Sequence, residues 1–266
     1  MITRLPRTVI VSAVMAFLVA PILVVSVASL NADQFLDFPI EQASTRWYEE
    51  LFTDSQWRGA ISNSLTIAVA AAALAVALAL PMAYVLHTWK PRLTKVFFAL
   101  GVLPFMLPPV ISAMGALVLW NEIGRIGRIE NVIIAHGVFF STIPLITVSL
   151  ALRDIDPSLD EAAMTLGASG RRRFLTIVLP LLVPSIVTGY VAAFVLSLNE
   201  YIIAFMVAGF SVETLPIKIF NSLRYGFTPA IAAVSVVFTG VSVVALSVLA
   251  RVGGLEKLLG GSVADR

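Results

Sequence analysis

Cysteine is absent from this chain of 266 residues, histidine occurs twice, and only 13% of residues are charged. Without thiols there are no disulfides, no thiolate nucleophile and no cysteine-based zinc site. No stretch fits the phosphate-cradling G-x-x-x-x-G-K-[ST] loop, so the chain is not expected to hydrolyse ATP, and no H-E-x-x-H pair offers a metal site. The net charge of +2 is small and the arginines lie beside apolar runs, so nothing calls for nucleic acid as a partner. Polar alternation of the kind that builds a membrane barrel is missing from runs such as Ala68–Leu80.

What is abundant is apolar length. Hydrophobic residues make up 59% of the chain, and stretches near twenty residues are long enough to cross a roughly 30 Å hydrocarbon core. Backbone groups in lipid need internal partners, so these stretches are helices and the chain reads as an all-α integral membrane protein. Six spans are expected at about 8–30, 61–86, 97–120, 131–152, 181–208 and 229–251, in a single membrane domain covering 1–266. The first follows Arg4 and Arg7 as a signal peptide would, but its apolar run is too long and lacks a clean cleavage site, which makes it an uncleaved span. If the N-terminus is cytoplasmic, twelve Lys and Arg residues fall inside, among them Lys90, Arg153, Arg171–Arg173 and Lys257, against six outside. The positive-inside bias therefore puts both ends in the cytoplasm.

Several features break the regular pattern. Pro104, Pro108 and Pro109 in the third span must free carbonyls or bend the axis, Pro144 interrupts the fourth, and Pro81 lies late in the second. Such breaks either mark a pathway or are the ordinary prolines of membrane helices. Ala70–Ala77 permits close helix packing. In the acidic first outer loop, Trp47 stands over Leu51 and Tyr48 over Phe52 at helical spacing, as in an interfacial helix or part of a docking surface. Trp120 reads as an interfacial anchor before Asn121 and Glu122.

The fourth connection is longer and patterned. Ser158 and Glu161 have the spacing of a capping box after Pro157, and Asp160 and Glu161 lie at the positive end of the helix dipole. Leu159, Ala162, Ala163 and Leu166 share one side, and Gly167 with Gly170 then turns the chain into Arg171, Arg172 and Arg173. Such a helix could rest on lipid, but a face made largely of alanine offers poor lipid burial and suits a protein socket better. Within the spans, Asn199, Glu200 and Tyr201 are the pathway candidates, with Asn63 and Ser64 weaker because polar residues also join helices.

Glu161-Ala162-Ala163, three residues, Gly167, nine residues, then Ile177-x-Leu179-Pro180 resembles the EAA signature of permease subunits of ABC importers. The resemblance covers nearly the whole chain and is closest to the PotC-like permeases of spermidine/putrescine importers. It is supported by Trp47-Tyr48, Asn63-Ser64-Leu65, Leu103-Pro104 through Pro109, and Leu215-Pro216-Ile217-Lys218-Ile219. It implies a type I importer permease (MetI-like) fold in a bacterial cytoplasmic membrane, with segment 157–180 as a coupling helix. It also implies two cytoplasmic ABC ATPases that use ATP and Mg, a second, different permease, and an extracytoplasmic solute-binding protein. Related systems carry ferric iron, thiamine, phosphonates, sulfate or molybdate.

Two rival classes have some sequence support. Gly167-Ala168-Ser169-Gly170 fits the G-x-S-G of a serine nucleophile, which needs a nearby base, but the chain has only His87 and His136, His87 lies at a span edge, and Ser169 falls in a cytoplasmic arginine-rich connection. An ion-coupled transporter would use paired intramembrane carboxylates, and Glu200 stands alone as a clear candidate.

Overall fold

The structure, a computed structural model, describes residues 4–34, 39–89, 92–225 and 228–253. Lys90 and Lys257, named in the charge pattern above, lie outside these residues. Among the described residues, five helices are long and apolar enough to cross a membrane, and a bent pair makes six if it is counted as one span. The contacts group into two compact units, one of Met1–Ala60 with Lys218–Val243, the other of Ile61–Ile217 with Val244–Arg266.

In the first unit, helix α1 (Arg4–Ala28) is exposed along Thr8–Val25. Helix α2 (Arg46–Thr53) carries the expected aromatics, but it is pinned to protein as well as amphipathic. Trp47 and Leu51 are buried, the Trp47 indole N–H donates to the Asn31 carbonyl at 2.7 Å, and the Tyr48 and Ser29 hydroxyls bond at 2.7 Å. Lys218 is buried here too, its ammonium 3.0 Å from Gln56 Oε1 and over the Trp57 ring at 5.0 Å.

The second unit is built on α3 (Ser55–Trp89), which crosses into it after Ala60. Ala68, Ala71, Ala72, Ala75, Ala79 and Ala83 form a buried stripe at helical spacing. With no hydrophobic drive between helices in lipid, such small residues stabilise contact through close approach. The third expected span, 97–120, is instead two helices, α4 (Thr94–Met106) and α5 (Pro109–Glu122), meeting at 98°. Residues before proline avoid the helical region, and Leu107 and Pro108 are both extended (ψ 147 and 135). Pro109 then opens α5 at the position where its missing N–H costs nothing.

The fourth span is α6 (Ile129–Phe140) followed by α7 (Thr142–Asp154). After α8 (Pro157–Thr165) the chain enters α9 (Gly170–Arg173), a π-helical turn over Phe174–Val178, and α10 (Leu179–Leu198). The expected fifth span at 181–208 therefore differs in two ways. Its helix starts at Gly170, and it breaks at 199–201 before the short α11 (Ile202–Ala208). Helices α12 (Leu215–Tyr225) and α13 (Pro229–Gly253) complete the described chain. Close packing of α10 on α7 depends on Gly189, where a Cβ would lie 2.7 Å from Pro144 Cα.

Candidate functional site

Two places combine polar chemistry with defined geometry, both in the second unit. The first is α8. Its N-cap is Asp156, and not Ser158 as the capping-box spacing suggested: Asp156 Oδ1 accepts from the Ser158 N–H at 2.9 Å. Pro157 decides this, because it favours the first helical position and forces the residue before it into extended backbone (ψ 121 at Asp156). The hydrogen bonds from Ser158, backbone first and then side chain, hold the Asp156 carboxyl below the usual carboxylate range.

The helix ends as the glycine implied. Gly167 has φ +78, its N–H bonds the Met164 carbonyl at 2.9 Å, and the Ala168 N–H reaches back to Ala163 at 3.0 Å, a Schellman turn. Of the face read from sequence, Ala163 alone is buried, while Leu159, Ala162 and Leu166 are exposed, Leu166 to 87%. Met164 is exposed as well. The three arginines are not equivalent. Arg171 and Arg172 are exposed, whereas Arg173 bonds Asp160 Oδ2 at 2.5 Å with its side chain only 19% exposed. The Ser169 hydroxyl accepts the Arg172 N–H at 3.4 Å and so caps α9, a structural use that leaves the nucleophile reading without support. Beside α8 lies a cleft of about 760 Å³ where His87, Lys95 and Arg153 share the lining with Asp156, Asp160 and Glu161.

The second place is the break after α10. Asn199, Glu200 and Tyr201 come together here, Asn199 exposed with its amide donating to Val195 O at 2.7 Å, and Tyr201 stacked on Phe205 at 5.4 Å. Glu200 turns inward. Its carboxylate accepts from the Ile203 N–H at 2.9 Å and the Ala204 N–H at 3.1 Å, covering buried first-turn amides that have no partner within α11. It also meets His136 Nε2 at 3.1 Å, and His136 Nδ1 lies 2.8 Å from the Ser197 hydroxyl. His136 is 1% exposed and the Glu200 side chain 9%. An ionised carboxylate only accepts, so Nε2 carries the proton and, in the neutral ring, Nδ1 accepts from Ser197.

Asn63 and Ser64 are not part of this cluster. Asn63 Nδ2 donates to the Glu213 carbonyl at 2.9 Å, and Ser64 Oγ accepts the Leu215 N–H at 2.7 Å, fastening α3 to the connection before α12. Sequence reading missed His136 and Ser197. The available signals were a histidine inside an apolar run and the three-residue spacing of Ser197 and Glu200 on one helical face.

The sequence model described as "Binding-protein-dependent transport system inner membrane component" matches residues 75–253. The chain is 34% identical over 231 residues to the putrescine transport system permease protein PotI of Escherichia coli K12, covering 84% of this chain and 82% of that protein. It is 30% identical over 254 residues to the spermidine/putrescine transport system permease protein PotC of the same organism, covering 94% and 96%. Among solved structures, a bacterial ABC transporter involved in import of the acidic polysaccharide alginate aligns with a TM-score of 0.71 at 14% identity, over 94% of this chain and 95% of that one.

Proposed function

The chain belongs to the family of inner membrane components of binding-protein-dependent transport systems, the permeases of ABC importers, and from that premise we propose that its solute is a polyamine such as putrescine or spermidine. The relatives named for those solutes support this choice, since they align along most of both chains. We assign the remaining parts of the machine as follows. An extracytoplasmic binding protein delivers the solute, and a second, different permease completes the pore. Two cytoplasmic ATPases use ATP and Mg, and this chain hydrolyses nothing. Both termini face the cytoplasm.

The single observation that carries the mechanism is the exposed, capped α8 with Leu159, Ala162, Met164 and Leu166 turned outward. Small and aliphatic side chains on a short helix fixed at both ends fit a cleft in a partner. Glu161 stands on the same helix, and Ala162 permits close approach of the partner surface. When nucleotide binding closes the ATPases, α8 moves with them, and the permease shifts between inward-facing and outward-facing arrangements. The shift is limited to the difference in contact free energy that α8 makes in the two states. Within the pathway, Glu200 acts as the clamp of the break, and Asn199 and Tyr201 beside it are the residues that meet solute.

The test is uptake by the reconstituted assembly, with binding protein and ATPases, against spermidine, putrescine, thiamine and ferric iron. Saturable, ATP-dependent uptake of polyamine alone is the expected result. Uptake of another member of the panel without polyamine uptake would remove the solute assignment. Replacing the exposed Ala162 with a bulky residue should uncouple ATP hydrolysis from uptake while the protein remains folded in the membrane.

A further inference from the structure

We infer that Arg173 is a positioning residue for coupling: through Asp160 it holds α8 at a set angle to the helix that becomes the fifth span. The connection between α8 and α9 is only Leu166–Ser169, and its pivot is Gly167, whose left-handed backbone has no neighbouring atom within 4 Å of a would-be Cβ. No neighbouring atom therefore wedges the turn at Gly167 itself. Besides the burial of Ala163, two polar ties close it, the Schellman hydrogen bonds and the charged contact of Arg173 with Asp160 across 13 positions of chain. Beyond Arg173 the chain stays helical through the π turn to Leu198, 29 residues from Gly170, a rod on the order of 40 Å long.

A push on α8 is thus passed to this rod, where a free hinge at Gly167 would absorb it. Arg171 and Arg172, both exposed, have no part in the tie. The inference rests on α8 being the coupling helix. Asp160 is 49% exposed, so water screens the pair, and a contact of that kind shifts an equilibrium by a factor of about two to five.

Two experiments test it. In the full reconstituted assembly, Asp160→Asn and Arg173→Gln should lower solute carried per ATP hydrolysed by about two- to fivefold at unchanged ATP hydrolysis. The exchanged pair Asp160→Arg with Arg173→Asp should restore most of the ratio. An unchanged ratio in the single variants, or no recovery in the exchange, overturns the inference. The second experiment needs no assembly. Spin labels at positions 166 and 181, both exposed leucines, report the angle directly in the chain alone. Either single variant should broaden the label-to-label distance distribution, and an unaltered distribution overturns the inference. Bulky variants at the exposed Ala162, such as Ala162→Leu and Ala162→Trp, separate the two levels. If they uncouple transport while the pair variants do not, this tie alone is wrong. If they do not uncouple it, the reading of α8 falls first.

Discussion

Replacing His136 with alanine removes a side chain whose hydrogen bonds link α6 to the break of the fifth span, and its cost follows from the groups it meets. The imidazole is 2.8 Å from Ser197 and 3.1 Å from Glu200, and its removal strands both partners. Taking one partner from a buried ion pair costs about 3–5 kcal/mol in a soluble core, an upper bound for a neutral imidazole on a carboxylate. Here the carboxylate keeps the Ile203 and Ala204 amides, and side-chain hydrogen bonds inside membranes average only about 0.6 kcal/mol. Those two facts bring the expected cost down to about 2–3 kcal/mol. Glu200→Gln is a gentler change: its carboxamide oxygen still accepts from the Ile203 N–H, and its NH₂ donates to His136 Nε2 once the ring proton sits on Nδ1, but that NH₂ replaces the oxygen that accepts from the Ala204 N–H. That variant should lose about 1–2 kcal/mol. With both changes present the penalties should not add, leaving a coupling of about 1–2 kcal/mol. Equilibrium unfolding of the chain in bicelles measures all four corners of the cycle. Additive effects, or a His136→Ala loss under about 0.5 kcal/mol, would refute the clamp.

Three further outcomes are expected. Gly189→Ala places a Cβ 2.7 Å from the Pro144 backbone and 2.8 Å from Thr147 Oγ1, so α10 must move off α7 at a cost of about 1–3 kcal/mol, whereas Gly59→Ala, with open space around it, should be neutral or stabilising in the same assay. Gly167→Val forces a β-branched residue to φ +78 and should destabilise the α8 turn by about 1–2 kcal/mol, with Gly167→Asn much milder, read as hydrogen exchange at Ala168. The folded-state depression of the Asp156 carboxyl means that its cap stabilises α8 above the ordinary carboxylate range and is lost as pH falls through the folded value. Exchange protection at Ser158 should therefore hold from neutral pH to about 4 and fall below it, and Asp156→Asn should remove that dependence while keeping the cap.

The spans were legible because apolar length and backbone satisfaction leave few alternatives, and the bend at Pro108–Pro109 was legible because proline acts locally. The break at 199–201 has neither proline nor glycine. It is held by a carboxylate that covers the amides of the next helix and by a histidine 64 positions away, and no local pattern encodes such a partner. The same limit split the arginine triplet, since only folding shows that Arg173 meets Asp160 while its neighbours face outward. Asn63 and Ser64 were correctly recognised as polar residues in a span, but whether they join helices or face a pathway depends on the loop that folds over them. At the start of α8 the composition was right and the register was displaced, because two good capping residues flank one proline and the proline's own geometry selects Asp156.

Coupling turns on α8 being the surface that an ATPase grips. The chain has no native cysteine, so Leu166→Cys provides a single attachment point for a photoreactive cross-linker at the exposed C-cap of that helix. In the reconstituted assembly, illumination should join this position to an ATPase subunit, in a yield that changes on adding ATP. Attachment to phospholipid alone, with and without nucleotide, would contradict the account.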